Sequence, residues 1–415
     1  MSKVITAKEI KDVAKLFKNF DITKSLNFYG SLVANYKVVV DEYFNSSSFN
    51  LKEPEKGTQP NLMKNFLNLT GNAILEVLNS YNETDEVNIS EVIQSALDND
   101  YKFNEAIAKV VGIHVGRNIP AHLYPPVAEK LILNVGNGNE LVKEILNEVG
   151  AYFVKTEEKQ YNELKEYKIE NFEEHKIKIE MKNADGDTAK IKFYRQNEQE
   201  VTPHKHGQII TIKVGSKYSE FTVMKTGHDE EGHYYECLIK KNLNGTVTNY
   251  LFNDENQLVK IQPSYIKSDI ENKKDLVLIS GGSGESHSIS IINEIINKKD
   301  IPFPQSIHVI HSTKNENSDT FQLDEVVNIA KSYNINVSHH KHYTHYSGRM
   351  TKESLSDILE NHDSYYEVCT SNSFSTAIQQ TLKAWGIEDV NIHIEGFGSI
   401  PETLDSALIG ICPFH

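Results

Sequence analysis

The sequence predicts a multidomain chain: an all-α segment, then an antiparallel β-barrel, then an α/β unit with a parallel sheet. A helical period runs to about residue 164, period two replaces it after Glu166, and Leu276-Val-Leu-Ile-Ser is continuously apolar and ends in glycines. A length of 415 residues exceeds one domain, and 39% hydrophobic with 24% charged residues is ordinary for a globular protein. The balance of 43 Lys+Arg against 58 Asp+Glu leaves a net charge of −15, which repels phosphate backbones, so no nucleic-acid partner is expected. The cysteines, Cys237, Cys369 and Cys412, are far apart and odd in number, which argues against a disulfide framework and a CxxC metal site. The opening Met1-Ser-Lys-Val-Ile-Thr-Ala-Lys places charges where a signal peptide needs an apolar run, and no stretch has the length of a membrane span. A reducing, cytoplasmic location is the expectation.

In the first segment Leu62, Phe66, Leu69, Ala73 and Val77 recur every three or four residues; Phe103, Ile107 and Val110 form a second stripe, and Leu141, Ile145, Val149 and Phe153 a third. Past Glu166, Ile177, Ile179 and Met181 alternate with polar residues, Asn183-Ala-Asp-Gly-Asp is turn chemistry, and Ile191 and Phe193 resume the alternation. Ile209-Ile-Thr-Ile-Lys-Val and Tyr234-Tyr-Glu-Cys-Leu-Ile continue it, as a small antiparallel barrel requires. After the charged linker at 269–275, an apolar run of the kind a strand buried on both faces needs precedes a helical pattern through Ile289, Ile292 and Ile296. Ser306-Ile-His-Val-Ile-His is a second such strand. The expected division is 1–164, 165–268 and 269–415.

His114 lies one turn beyond Val110 on an apolar helix stripe. A lone histidine there is commonly a satisfied core residue; haem or metal ligation is the alternative. Two further residues favour the alternative. Tyr124 lies ten positions downstream, and Glu157 extends the stripe Ile145, Val149, Phe153 by one turn, placing a carboxylate where an apolar side chain was due. A buried carboxylate needs a donor such as a tyrosine hydroxyl or an imidazole N–H. The competing reading is a Glu that simply reaches solvent, as its neighbour Glu158 can.

These residues, with the order helical, β, α/β, resemble the flavohaemoglobin family: a globin domain, an FAD-binding barrel and an NAD(P)-binding domain of the ferredoxin-reductase type. Asn27-Phe-Tyr-Gly-Ser-Leu is similar to the family's second helix, which implies that Tyr29 faces the distal side of haem. Asp41-Glu-Tyr-Phe-Asn implies Phe44 as the phenylalanine packed on the porphyrin. Gly57-Thr-Gln-Pro implies Gln59 as the distal glutamine and Met63 as the apolar residue one turn later. The spacing from His114 to Tyr124, with Glu157 four residues before Tyr161, resembles the proximal triad of iron-ligating histidine, supporting tyrosine and glutamate. A carboxylate accepting the other imidazole N–H makes such a histidine more anionic.

The reductase part resembles the family in outline. Ser219-Glu220-Phe221-Thr222 stands at the family's Arg-x-Tyr-Ser/Thr strand, implying Phe221 and Thr222 beside the flavin, while the phosphate-neutralising arginine is absent and Glu220 adds a negative charge. Gly245-Thr-Val-Thr-Asn resembles the Gly-x-Val-Ser/Thr turn that holds the pyrophosphate, with Thr248 as candidate; a plain turn into a short helix has the same signature. His204-Lys-His-Gly-Gln stands at a Pro-Gly-Gln turn. Gly281, Gly282 and Gly284, with Ser286, resemble the Gly-Gly-x-Gly-x-Thr-Pro loop that admits a dinucleotide, with His287 replacing the proline and Glu285 adding negative charge. Glu367-Val-Cys369-Thr-Ser aligns with Cys-Gly-Pro near the nicotinamide, and Ile394-Glu-Gly-Phe397-Gly with the terminal Glu-x-Phe-Gly whose phenylalanine lies over the flavin.

The resemblance implies a nitric oxide dioxygenase that carries haem b, FAD and NAD(P)H, acts on O2 and NO and forms nitrate. The altered reductase residues keep a second expectation open: a haem-based O2/NO-binding or sensing protein with a degenerate reductase module, served by a separate reductase if FAD is not bound. Outside the resemblance, His339, His340, His342 and His345 crowd one stretch; on a strand His340 and His342 would share a face and could bind zinc, nickel or copper adventitiously.

Overall fold

A computed structural model of the chain describes residues 5–21, 23–25, 27, 28, 31, 58–136, 138–196, 198–253, 257–266, 270, 273–298, 304, 306–320, 322–359 and 364–397. Two compact units divide after Tyr161. The expected sequence of a helical region, an antiparallel barrel and a parallel sheet is what the chain adopts.

The first unit begins with a short strand, β1 (Ile5–Thr6), that leads into helix α1 (Ala7–Lys18). Thr6 and Glu9 form a reciprocal capping box at the start of α1, satisfying two otherwise orphaned backbone donors. Ile10, Val13, Ala14 and Phe17 bury the inner stripe of α1. Helix α2 (Thr58–Leu78) takes up the predicted stripe from Leu62. Residues 86–87 form β2, which pairs antiparallel with β1. This two-residue ribbon lies in a region whose sequence reads as all helix. Helices α3 (Ile89–Asn99), α4 (Tyr101–Gly116), α5 (Tyr124–Gly136) and α6 (Glu140–Glu166) follow.

In the second unit, β3 (Glu173–Lys182), β4 (Thr188–Arg195), β5 (Gln208–Val214), β6 (Lys217–Asp229), β7 (Gly232–Lys240) and β8 (Leu258–Tyr265) close a barrel in the order β3-β4-β7-β6-β5-β8. Every neighbouring pair is antiparallel, and closure removes the exposed edges of an open sheet. Ile177, Ile191, Phe193, Ile210, Val223 and Tyr235 fill its interior. A bulge between Ile179 and Met181 interrupts the alternation. Gly207 holds a φ of +74°, and a Cβ there would lie 2.0 Å from the Ile266 carbonyl oxygen, so only glycine fits this turn. Helix α7 (Thr246–Asn253) caps the barrel core with Val247 and Leu251.

The parallel sheet has the order β11-β10-β9-β12-β13, from β9 (Asp275–Gly281), β10 (Ser306–Thr313), β11 (Val337–Tyr343), β12 (Tyr365–Ser371) and β13 (Ile392–Phe397). Leu276, Val277, Leu278 and Ile279 are each 0% exposed, as the unbroken apolar run of a two-sided strand requires. Helices α8 (Glu285–Asn297) and α9 (Gln322–Ser332) cover the Leu276/Leu278 face, and α10 (Asn372–Ala384) covers the Val277/Ile279 face. The barrel joins this layer directly: Met224 and Leu238 pack into the α8 core, and the Asn293 amide donates to the Met224 carbonyl at 2.9 Å. Because the chain runs outward from β9 to β10 and β11 and then crosses to β12 on the other side, β9 and β12 bound a topological switch point, the crevice where α/β sheets take their ligands.

Candidate functional site

The first site stands on three helices. Asp100 caps α4 by accepting the Phe103 N–H at 3.0 Å, and His114 occupies the last turn of that helix. Pro125 and Pro126 follow Tyr124 at the first positions of α5, where a missing N–H costs nothing and the fixed φ suits a helix start. Glu157 comes from α6, one turn past Phe153, and is 2% exposed.

The three side chains meet. His114 Nδ1 lies 2.8 Å from the Tyr124 hydroxyl and 2.9 Å from Glu157 Oε1, while Tyr124 donates to Glu157 at 2.5 and 2.6 Å. An ionised carboxylate only accepts, so Nδ1 carries the imidazole proton and Nε2 presents a lone pair. Burial, reinforced by the Glu157 charge, pushes the Tyr124 phenol far above its ordinary range, so it remains a donor. Phe153 and Tyr124 flank the imidazole, with ring centroids 6.5 and 5.3 Å from it. Phe66 extends this aromatic wall, 5.6 Å from Phe153 and 6.2 Å from Phe103. An imidazole whose Nδ1–H is held by a buried carboxylate has the chemistry of an axial haem ligand, and these residues fit that group.

Of the other residues expected around a haem, Met63 lies half-buried on α2, and Gln59 belongs to the same helix with its side chain outside the described residues. Tyr29 and Phe44 also lie outside them.

At the switch point Gly281 ends β9, Gly282 turns the chain at φ +54°, and Gly284 precedes α8. A Cβ on Gly281 would press on Phe374 and Thr370 at 3.3–3.4 Å. The charge expected at Glu285 is not exposed there. Its side chain is 2% exposed, Oε1 accepts the Thr320 hydroxyl at 2.7 Å, and burial, assisted by the Asp319 charge, lifts its pKa to about 8. Ser286 is buried in the first turn of the helix, and Cys369 is 7% exposed on β12. Phe397 closes β13, its side chain outside the described residues. The glycine loop therefore fits a dinucleotide at the helix start.

At the barrel, Phe221 belongs to the interior core, Thr222 is half-buried opposite Ile209, and Glu220 is 2% exposed. The Thr248 hydroxyl serves its own turn, donating to the carbonyls of Asn242 and Gly245 at 3.2 and 3.4 Å and accepting the Asn242 N–H at 3.1 Å. These residues do not fit the way the family's motifs hold flavin phosphate and ring.

The histidines on β11 do not converge on a common point. His339 Nδ1 pairs with Asp324 at 3.0 Å, and His342 Nε2 meets the Gly348 carbonyl at 2.8 Å. Sequence reading missed a different convergence, of His287, Glu367 and His393, whose members come from one helix and two strands. Only the alternation His393-x-Glu395 on a strand hints at it.

No protein-family model matches the chain. It is similar to a curated protein named Flavohemoprotein from Bacillus subtilis (strain 168), 26% identical over 362 residues that cover 78% of this chain and 88% of the relative. Another Flavohemoprotein, from Halalkalibacterium halodurans, is 23% identical over 366 residues with the same coverage. Among solved structures, a flavohemoglobin from Malassezia yamatoensis with bound FAD and heme superposes with a TM-score of 0.70 at 16% identity, covering 94% of this chain and 98% of that one.

Proposed function

We propose that this chain, a divergent member of the flavohaemoglobin family by its relatives and its fold, is a nitric oxide dioxygenase that converts NO and O2 to nitrate using NAD(P)H. The observation that carries the reading is the His114 imidazole, its Nδ1 held at 2.8 and 2.9 Å by Tyr124 and Glu157. Haem b bound there would supply an iron centre for the gases. Glu157 fixes the tautomer and the ring plane of His114 and raises its basicity. Tyr124 satisfies the second lone pair of that carboxylate, so the buried charge is not left exposed to the apolar wall. Tyr29 and Gln59 are the proposed distal residues, and Phe44 and Met63 the proposed apolar contacts of the haem.

The cofactor set of the reading is haem b, FAD and NAD(P)H, in domains at 1–164, 165–268 and 269–415. Gly281, Gly282, Gly284 and Ser286 would take the dinucleotide, with Cys369 and Phe397 toward its ring. No electron-transfer step is derived through FAD, because the residues at its expected strand and turn do not fit it. That same mismatch favours the second reading, a haem-based O2/NO-binding or sensing protein reduced by a separate partner. Among the described residues no helix is long and apolar enough to cross a membrane. The haem-loaded, flavin-supplemented chain should consume NO in air with NADH or NADPH and form nitrate. Failure with both cofactors would overturn the dioxygenase reading, and a Soret band without flavin absorbance would select the second one.

A further inference from the structure

The sheet face that carries Leu276 and Leu278 changes character toward β12 and β13. In parallel register Glu367 lies between Leu278 and His393, and Cys369 lies beside Glu395. Alternate residues of a strand share a face, so His393 and Glu395 look the same way. The first turn of α8 brings His287 to the same place. His287, Glu367 and His393 are 2%, 1% and 0% exposed, and the Glu395 side chain, 22% exposed, closes the open side.

The separations distinguish coordination spacing from hydrogen bonding. His287 Nε2 lies 3.0 Å from Glu367 Oε2, and His393 Nε2 lies 3.7 Å from that oxygen and 3.6 Å from Glu395 Oε1. The last two exceed hydrogen-bond length. Two bonds of about 2.0–2.1 Å meeting at a tetrahedral ion separate their ligand atoms by about 3.4 Å. One ligand atom from each of His287, Glu367 and His393 lies within 4.8 Å of the other two.

We propose that His287, Glu367 and His393 form a zinc(II) site, with Glu395 beside its half-buried side. Two imidazoles and a carboxylate are a donor set that suits this borderline ion. Such a site would tie the start of α8, just after the glycine loop, to β12 and β13. It goes beyond the haem reading and involves none of the haem residues, so each can fail without the other.

The test is the metal content of the full-length, untagged, haem-loaded chain after equilibration with zinc and extensive dialysis, with zinc-edge X-ray absorption on the same sample. The expected result is about one zinc per chain in addition to haem iron, with nitrogen and oxygen ligands at about 2.0–2.1 Å and scattering from two imidazoles. Glu367→Gln should weaken zinc retention at least tenfold, and His393→Ala should reduce zinc to background while the haem Soret band is kept. His340→Ala with His345→Ala should leave zinc unchanged. A wild-type chain that holds no zinc, a four-imidazole spectrum, or zinc lost with His340 and His345 rather than with Glu367 and His393 would overturn the proposal.

Discussion

Replacing Glu157 by Gln keeps the volume of a 2% exposed side chain, removes its charge and turns one acceptor oxygen into an NH2 donor. In the native site the carboxylate accepts from His114 at 2.9 Å and from Tyr124 at 2.5 Å. A hydrogen bond to a charged acceptor contributes about 1.5–3 kcal/mol and a neutral one about 0.5–1.5 kcal/mol, so two bonds lose about 2–3 kcal/mol together. Placed wholly on His114, that is roughly a 30- to 150-fold weaker hold on the haem. Carboxylates behind metal-bound histidines usually matter by about 10- to 100-fold, a range that overlaps this one. The assay is transfer of ferric haem from the chain to an excess of an apo-acceptor. Glu157→Gln should release haem 10 to 100 times faster, while the exposed neighbour, as Glu158→Gln, should match wild type. Release within twofold of wild type would refute the view that Glu157 acts through the imidazole.

Other outcomes follow from the second unit. The Glu285 pKa is raised from 4.5 to about 8, so the folded chain is penalised progressively as pH rises through that window and not below it. Glu285→Gln should therefore melt higher than wild type by a few kcal/mol at about pH 9 and match it at about pH 4; equal melting at both would contradict the protonated assignment. Burial disfavours the Glu294 carboxylate, yet hydrogen bonds from His206 outweigh it and hold the pKa at about 2. This carboxylate contributes stability above about pH 4.5 that is lost as pH falls toward about 2, and Glu294→Gln should flatten that acid limb by on the order of 2 kcal/mol after solvent screening. Gly207→Ala would set a Cβ 2.0 Å from the Ile266 oxygen at φ +74°. It should cost about 3 kcal/mol in calorimetry, and a loss under about 1 kcal/mol would show that the turn can move.

The fold was legible wherever side-chain period was long and unbroken, as in the stripe of α2, the alternation of the barrel strands and the apolar run of β9. The β1–β2 ribbon was not, because two residues per strand carry no period. The proximal residues could be read because Glu157 broke an apolar stripe at an inward position and Tyr124 stood at a fixed distance from His114. Glu285 reads in the sequence as a negative charge beside the dinucleotide loop, since linear sequence does not reveal Thr320, 35 residues away, nor the burial that raises its pKa. His287 and Glu367, 80 residues apart, meet only through helix-on-sheet packing. Thr248 showed the limit of a short motif: the same letters can place a hydroxyl on a ligand or, as here, on their own turn.

The central claim is that His114 is the residue that holds haem iron. Its most direct test is the absorption spectrum of the purified full-length chain beside that of His114→Ala, each expressed with haem supply. A Soret band in the wild type that is lost or sharply diminished in the variant is the predicted result. A Soret band of the same position and intensity in both would contradict it.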